Sequence, residues 1–175
     1  MLIFLVGYMA CGKSTIGRKL NQRLKYQLYD TDKLIVESEG MSVSELFDLK
    51  GEEYFRECER DTLKHLIDSN INAVISTGGG TPIWNNNMQL MNQAGLTIYI
   101  ARTAENIAKR ISPFGREKRP KLRGLNDNEL VEVMKSGIAQ RDSKYRESKF
   151  IIEADCCSDD MILDMIVERV SQSLE

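Results

Sequence analysis

The apolar run Leu2-Ile3-Phe4-Leu5-Val6 ends in Gly7-Tyr8-Met9-Ala10-Cys11-Gly12-Lys13-Ser14 and passes into Thr15-Ile16-Gly17-Arg18-Lys19-Leu20. No other stretch narrows so sharply what the chain can fold into. Gly-x-x-x-x-Gly-Lys-Ser between a strand and a helix is the phosphate-binding P-loop pattern. Its glycines admit backbone angles that let successive N–H groups turn inward around phosphate oxygens. The helix start adds unpaired N–H groups and a partial positive charge. In such a loop Lys13 reaches the β- and γ-phosphates, and the Ser14 hydroxyl ligates Mg2+. The plainer alternative is a glycine-rich turn opening a surface helix. Average residue usage makes a chance match roughly a one-in-a-hundred event or rarer in a chain of this length.

Behind this loop, apolar β-type runs alternate with helix-like segments, the pattern of a parallel sheet covered by helices on both faces. Strands are expected at 2–6, 27–29, 73–76, 97–101 and 150–153. Helices are expected at 14–24, 33–39, 43–49, 52–68, 86–93, 104–111, 127–143 and 159–173. No repeat, linker or low-complexity segment divides the 175 residues, so 1–175 reads as a single domain. A net charge of −2 gives no global pull toward nucleic acid or an anionic membrane surface. No apolar run approaches a membrane span, and the N-terminal run is too short for a signal peptide and lacks basic residues ahead of it. A cytoplasmic protein is expected. Cys11, Cys58, Cys156 and Cys157 make no C-x-x-C pair, and His65 is the lone histidine, so neither zinc nor a structural disulfide is expected. Cys11 sits inside the phosphate loop, where its expected role is steric.

One segment breaks the rhythm. Residues 111–124 read I-S-P-F-G-R-E-K-R-P-K-L-R-G, with Arg116, Lys118, Arg119, Lys121 and Arg123 against Glu117. Proline and glycine disfavour a regular element here. By itself this is a solvated charged loop; beside a phosphate site, it suggests a mobile lid closing over a triphosphate.

Four further constellations carry chemistry. Asp30-Thr31-Asp32 follows the second strand, at the rim where α/β sheets bind ligands. One carboxylate suits the shell of Mg2+ and the other suits orienting or deprotonating an attacking hydroxyl. Helix capping is the competing reading. Arg56 and Glu59, three apart on a helix, form either a polar unit able to present a guanidinium to a carboxylate or an ordinary surface ion pair. Gly78-Gly79-Gly80 ends a β-branched strand. Three glycines exceed what a turn needs and suggest backbone exposed to a polar ligand. Arg141 precedes Tyr145 near the end of a long helix, where spacing alone makes it a solvated charge.

Together, and in chain order, these residues resemble shikimate kinase, within the nucleoside monophosphate kinase-like group of P-loop folds. The resemblance spans G-x-x-x-x-G-K-S-T, D-x-D at Asp30 and Asp32, F-R-x-x-E at Phe55, Arg56 and Glu59, the triple glycine, R-P at Arg119 and Pro120, and R-x-x-x-Y at Arg141 and Tyr145. It implies a three-layer α/β/α fold with a five-stranded parallel sheet of order 2-3-1-4-5. It also implies a lid over about 112–124 and a shikimate-binding region over about 32–60. ATP is the implied co-substrate, held by Lys13, by the loop at Gly7, Ala10, Cys11, Gly12, Ser14 and Thr15, and by Arg110 against adenine. Ser14 and Asp30 serve Mg2+. Asp32 is the implied base at the shikimate hydroxyl, Arg56 and Arg141 clamp the carboxylate, and Glu59 supports Arg56. Gly78, Gly79 and Gly80 face the ring, Phe47 and Phe55 wall the pocket, and Arg119 swings in with the lid.

The resemblance further implies small-molecule substrates alone, without nucleic-acid or membrane partners, and a monomer. The chain departs from the family at Lys121, where an apolar residue is usual after proline, and at 155–159, which lacks a frequent proline. Two other readings compete: another small-molecule kinase such as a gluconate kinase, and a non-catalytic nucleotide switch. The first should not need the F-R-x-x-E, triple-glycine and R-x-x-x-Y set, and the second leaves Asp32, Arg56 and Arg141 without a shared purpose. The basic lid alone supports nucleic-acid binding.

Overall fold

The computed structural model describes residues 1–69, 71–117, 119 and 122–173. Five strands form one parallel sheet: β1 (Leu2–Val6), β2 (Gln27–Asp30), β3 (Ala73–Ser76), β4 (Leu96–Ala101) and β5 (Phe150–Glu153). Their spatial order is β2-β3-β1-β4-β5, as the family resemblance implies. β1 lies between β3 and β4, with Leu5 opposite Ser76 on one side and Val6 opposite Tyr99 on the other. Every residue of β1, β3 and β4 is buried. Helices therefore cover both faces of the sheet, which explains continuous apolar runs in place of alternating ones.

The helices are α1 (Lys13–Leu24), α2 (Thr31–Glu39), α3 (Val43–Asp68), α4 (Asn87–Ala94), α5 (Ala104–Arg110), α6 (Pro113–Glu117), α7 (Asp127–Ala139), α8 (Asp142–Tyr145) and α9 (Asp159–Gln172). Most starts are chemically marked. Asp30 caps α2 and Thr103 caps α5; Ser42 with Glu45 and Asn126 with Glu129 form reciprocal capping boxes on α3 and α7.

Three segments differ from the sequence expectation. The two helices expected at 43–49 and 52–68 are halves of α3, joined across Gly51, whose φ of 86° and ψ of 167° kink it. The helix expected across 127–143 stops at Ala139 and restarts at Asp142, leaving Arg141 at the break. Residues 111–124, expected to lack regular structure, contain α6. Its Pro113 stands at the first helical position, where no N–H is needed.

The main core fills both faces of the sheet, with Ile16, Leu20, Leu63, Met88, Ile107, Met134 and Ile162 brought in by the surrounding helices. A smaller cluster of Ile35, Leu46 and Phe55, with Phe47 and Tyr54 against it, holds α2 to α3. This satellite core underlies the 32–60 region.

Candidate active site

All five strands run parallel, so their C-terminal ends share one edge, and the residues singled out above gather there. The loop after β1 turns through Ala10 (φ 57°) and Gly12 (φ 114°) before α1 begins. Lys13 is buried and donates to the carbonyls of Gly7 (2.7 Å) and Tyr8 (3.0 Å), so its ammonium is held across the loop. The Ser14 hydroxyl lies 3.4 Å from Asp30 Oδ2. Asp30 Oδ1 also accepts from the Lys33 N–H at 3.4 Å. Capping and proximity to Ser14 are thus properties of the same carboxylate.

Asp32 lies half-buried in the first turn of α2. Burial, then the charges of Glu59 and Asp30, raise its pKa to about 6 against the opposing pull of Lys13 and Arg56. A carboxyl poised there changes protonation close to working pH, as a general base should. The same electrostatic neighbours show that Asp32 sits among both the phosphate-loop and the Arg56 groups.

Arg56 and Glu59 are not a surface pair. The Glu59 side chain is 1% exposed and the Arg56 side chain 13%, with Nη1 2.5 Å from Glu59 Oε2. The second Glu59 oxygen accepts the Thr81 hydroxyl, and Arg56 Nη2 meets Glu52 at 2.8 Å. Phe47 and Phe55 pack tilted at 39°, 4.9 Å between centroids, and the Arg56 guanidinium lies 5.7 Å from each ring centroid.

The glycine run fits these side chains by close approach. A Cβ on Gly78 would lie 2.5 Å from Glu59 Oε1 and 2.6 Å from Asp32 Oδ1; one on Gly80 would lie 2.1 Å from Arg56 Nη1. The Gly78 N–H donates to the Thr31 hydroxyl (2.9 Å), and the Gly79 carbonyl accepts the Tyr145 hydroxyl (2.5 Å). Arg141, four residues before Tyr145, donates to the Gly137 carbonyl at 2.7 Å and lies 5.5 Å from the Tyr8 ring centroid. Burial pushes the Tyr145 phenol well up, opposed first by Arg141 and more weakly by Arg56. Both arginines therefore bring positive charge to the glycine run.

At the nucleotide end, Ala10, Gly12, Lys13, Ser14 and Thr15 share a cavity of about 250 Å3 with Arg110 and Arg119. Arg110 pairs with Asp159 at 3.5 Å, and Arg119 donates to the Gly115 carbonyl of its own segment at 2.6 Å. Cys11 is buried, its sulfur 3.9 Å from the Lys13 ammonium, and all four cysteines are free thiols. Lys118, Pro120 and Lys121 lie outside the described residues.

The structure also reveals participants that sequence reasoning missed. Thr31 stands between the two flagged aspartates and turns to the glycine run. Tyr8 occupies an unassigned loop position. Thr81 completes Glu59, and Arg102 buries itself under the loop. Arg102 had one legible signal, a cation directly after an apolar strand.

The family model for shikimate kinase matches residues 9–171. This chain belongs to the shikimate kinase family. A shikimate kinase of Bacteroides thetaiotaomicron is 35% identical over 173 residues, covering 99% of this chain and 98% of that one. One from Clostridium botulinum (strain 657 / Type Ba4) is 43% identical over 132 residues, covering 75% and 76%. The crystal structure of shikimate kinase from B. thetaiotaomicron superposes with a TM-score of 0.87 at 34% identity, over 99% of this chain and 98% of that one. Shikimate kinase from Acinetobacter baumannii, solved in complex with shikimate, gives 0.85 at 27% identity, over 98% and 93%. A deoxyadenosine kinase from M. mycoides, at 18% identity and a TM-score of 0.64, shares the fold. The chain is accordingly a kinase of the P-loop type, with the sheet order of its family.

Proposed function

We propose that this chain transfers the γ-phosphate of ATP to the 3-hydroxyl of shikimate, giving shikimate 3-phosphate and ADP, on the route to chorismate and the aromatic amino acids. The observation that carries the reading is the packing of Asp32, Glu59 and Arg56 against Gly78 and Gly80, in electrostatic reach of Lys13. Phosphoryl transfer asks little covalent chemistry of a protein; it asks for position and charge. Lys13 and the loop N–H groups hold the phosphates. Arg56, fixed by Glu59 and Glu52, and Arg141, fixed on Gly137, take the carboxylate of the acid. Asp32 then accepts the hydroxyl proton as the acceptor oxygen bonds to phosphorus and the bond from phosphorus to the β-phosphate oxygen breaks. Arg119 carries positive charge toward the transferring group, and Arg110 packs on the base.

Mg2+ fits this site. Among the described residues no group of three or more His, Cys, Asp or Glu side chains is placed to hold a metal. Mg2+ needs only the Ser14 hydroxyl and Asp30 here, because phosphates and waters complete its shell. When bound, it neutralises phosphate charge. The same reading makes the protein a cytoplasmic monomer acting on two small molecules, without nucleic-acid or membrane partners. No helix of the described residues is long and apolar enough to cross a membrane.

The test is coupled ADP release with Mg2+-ATP and shikimate, with gluconate as the control acceptor. Stimulation by shikimate alone is expected. Stimulation by gluconate instead would keep a kinase and overturn the acceptor assignment. Nucleotide binding without either response would leave a nucleotide switch.

A further inference from the structure

Arg102 follows the last residue of β4, and its side chain is 3% exposed. Its Nε–H donates to the Cys11 carbonyl (3.0 Å) and its Nη1 to the Ala154 carbonyl (2.5 Å). Nη2 has no hydrogen-bond partner among the described residues. The Asp159 carboxylate stands 4.0 Å away and is shared with Arg110 at 3.5 Å.

A buried cation with a donor left over is a poor way to stabilise a fold, because desolvating the charge outweighs imperfect pairing. Burial and the neighbouring Arg110 lower its pKa, which shows the same disfavour. An apolar side chain would continue the pattern of Ile98 and Ile100 without that penalty. The two carbonyls Arg102 does reach are more telling. Cys11 belongs to the phosphate loop, and Ala154 opens the turn from β5 toward α9. In a trans peptide the C=O and the following N–H point in opposite directions. A guanidinium gripping the Cys11 carbonyl therefore turns the Gly12 N–H away from itself, and Gly12 lines the cavity.

We infer that Arg102 is a positioning residue for the nucleotide: it fixes the Cys11–Gly12 peptide so that the loop presents its N–H groups to phosphate, and it locks the 154–156 turn in register with that loop. The inference rests on reading the loop as the ATP site. Arg102 touches no reacting atom. Its effect is confined to one substrate, since neither carbonyl it holds belongs to the Arg56–Gly80 region.

Arg102→Met and Arg102→Lys test this by ADP affinity in calorimetry and by the two KM values. The Met variant keeps the stem and removes all donors. It is expected to weaken ADP binding and raise KM for ATP by about tenfold, with KM for shikimate within about twofold. The Lys variant, which offers one donor atom in place of a fork, is expected to fall between. If the Met variant does not fold, the Lys variant decides. A structural role alone would lower the melting temperature while leaving ADP affinity and both KM values unchanged; that result overturns the inference. A wild-type protein that shows no shikimate-dependent turnover would overturn the proposed reaction, and ADP calorimetry would still decide the role of Arg102.

Discussion

The pKa of Asp32 is raised first by burial and then by like charge: Glu59 and Asp30 face it, and Gly78 closes over both Asp32 and Glu59. The folded protein holds the Asp32 proton more tightly than the unfolded chain does. Stability contributed by this group therefore falls as pH rises from about 4 to about 6, and the loss is complete above that. The gap between 3.8 and about 6 corresponds to at most about 3 kcal/mol. Asp32→Asn should therefore raise the melting temperature at pH 8, without nucleotide or Mg2+, by roughly 2–4 °C for each kcal/mol relieved. The gain should shrink as pH approaches 4. A variant no more stable than wild type at pH 8 would show that the site tolerates the charge. The arginines act differently. On the proposed reaction, Arg56→Ala and Arg141→Ala each remove a charge-assisted contact to the acid, so KM for shikimate should rise roughly tenfold or more with a smaller change in kcat. Wild-type KM in both variants would end the clamp assignment. The types and spacing of these residues were legible in sequence; their burial was not. Arg56 and Glu59 read equally well as a surface pair, and Asp30 as a cap, because spacing fixes a face of a helix and not what covers it.

At the scale of elements, periodicity located every strand and nearly every helix, since the central strands are buried on both faces and read as unbroken apolar runs. What it missed depended on chemistry acting against local preference. Ala139-Gln140-Arg141-Asp142 carries no glycine or proline, so nothing local announced the break that sets Arg141 on Gly137. Pro113 and Gly115 read as breakers, yet proline at a helix's first position starts α6. Gly51 is the opposite case: the sequence divided α3 there, and the structure shows why. Its φ of 86° and ψ of 167° suit glycine almost exclusively and bend the helix, with Phe47 on one side and Phe55 and Arg56 on the other. Gly51→Ala should lower stability by about 1–3 kcal/mol. If the bend sets the aromatic wall, KM for shikimate should rise while KM for ATP stays unchanged. Equal rises in both constants would assign the damage to general loosening of the fold.

For the whole molecule, the sheet order matters more than any single element. With β1 central, β3 on one side and β4 on the other, the phosphate loop lies between the glycine run after β3 and Arg102 after β4, and Asp30 arrives from β2. On the proposed reaction, this edge holds an acid-binding half and a nucleotide half, and the phosphoryl group passes between them. The segment after α5 borders the nucleotide half. Arg119 lines the same cavity as Lys13, yet its guanidinium is held by the Gly115 carbonyl of its own segment. Arg116 of α6 pairs with Asp127 at the start of α7 at 2.7 Å, giving the segment a fixed foot. A cation carried on such a segment contributes chiefly where charge develops during transfer and little to the resting fold. Arg119→Ala should therefore lower kcat by about 10²- to 10³-fold. Its melting temperature should stay close to wild type, because the hydrogen bond of that side chain among the described residues is to its own segment, at the Gly115 carbonyl. Turnover at saturating ATP and shikimate, paired with a thermal melt, separates the alternatives. An undiminished kcat would make this segment a cover that excludes water, and a large fall in melting temperature would make it part of the scaffold.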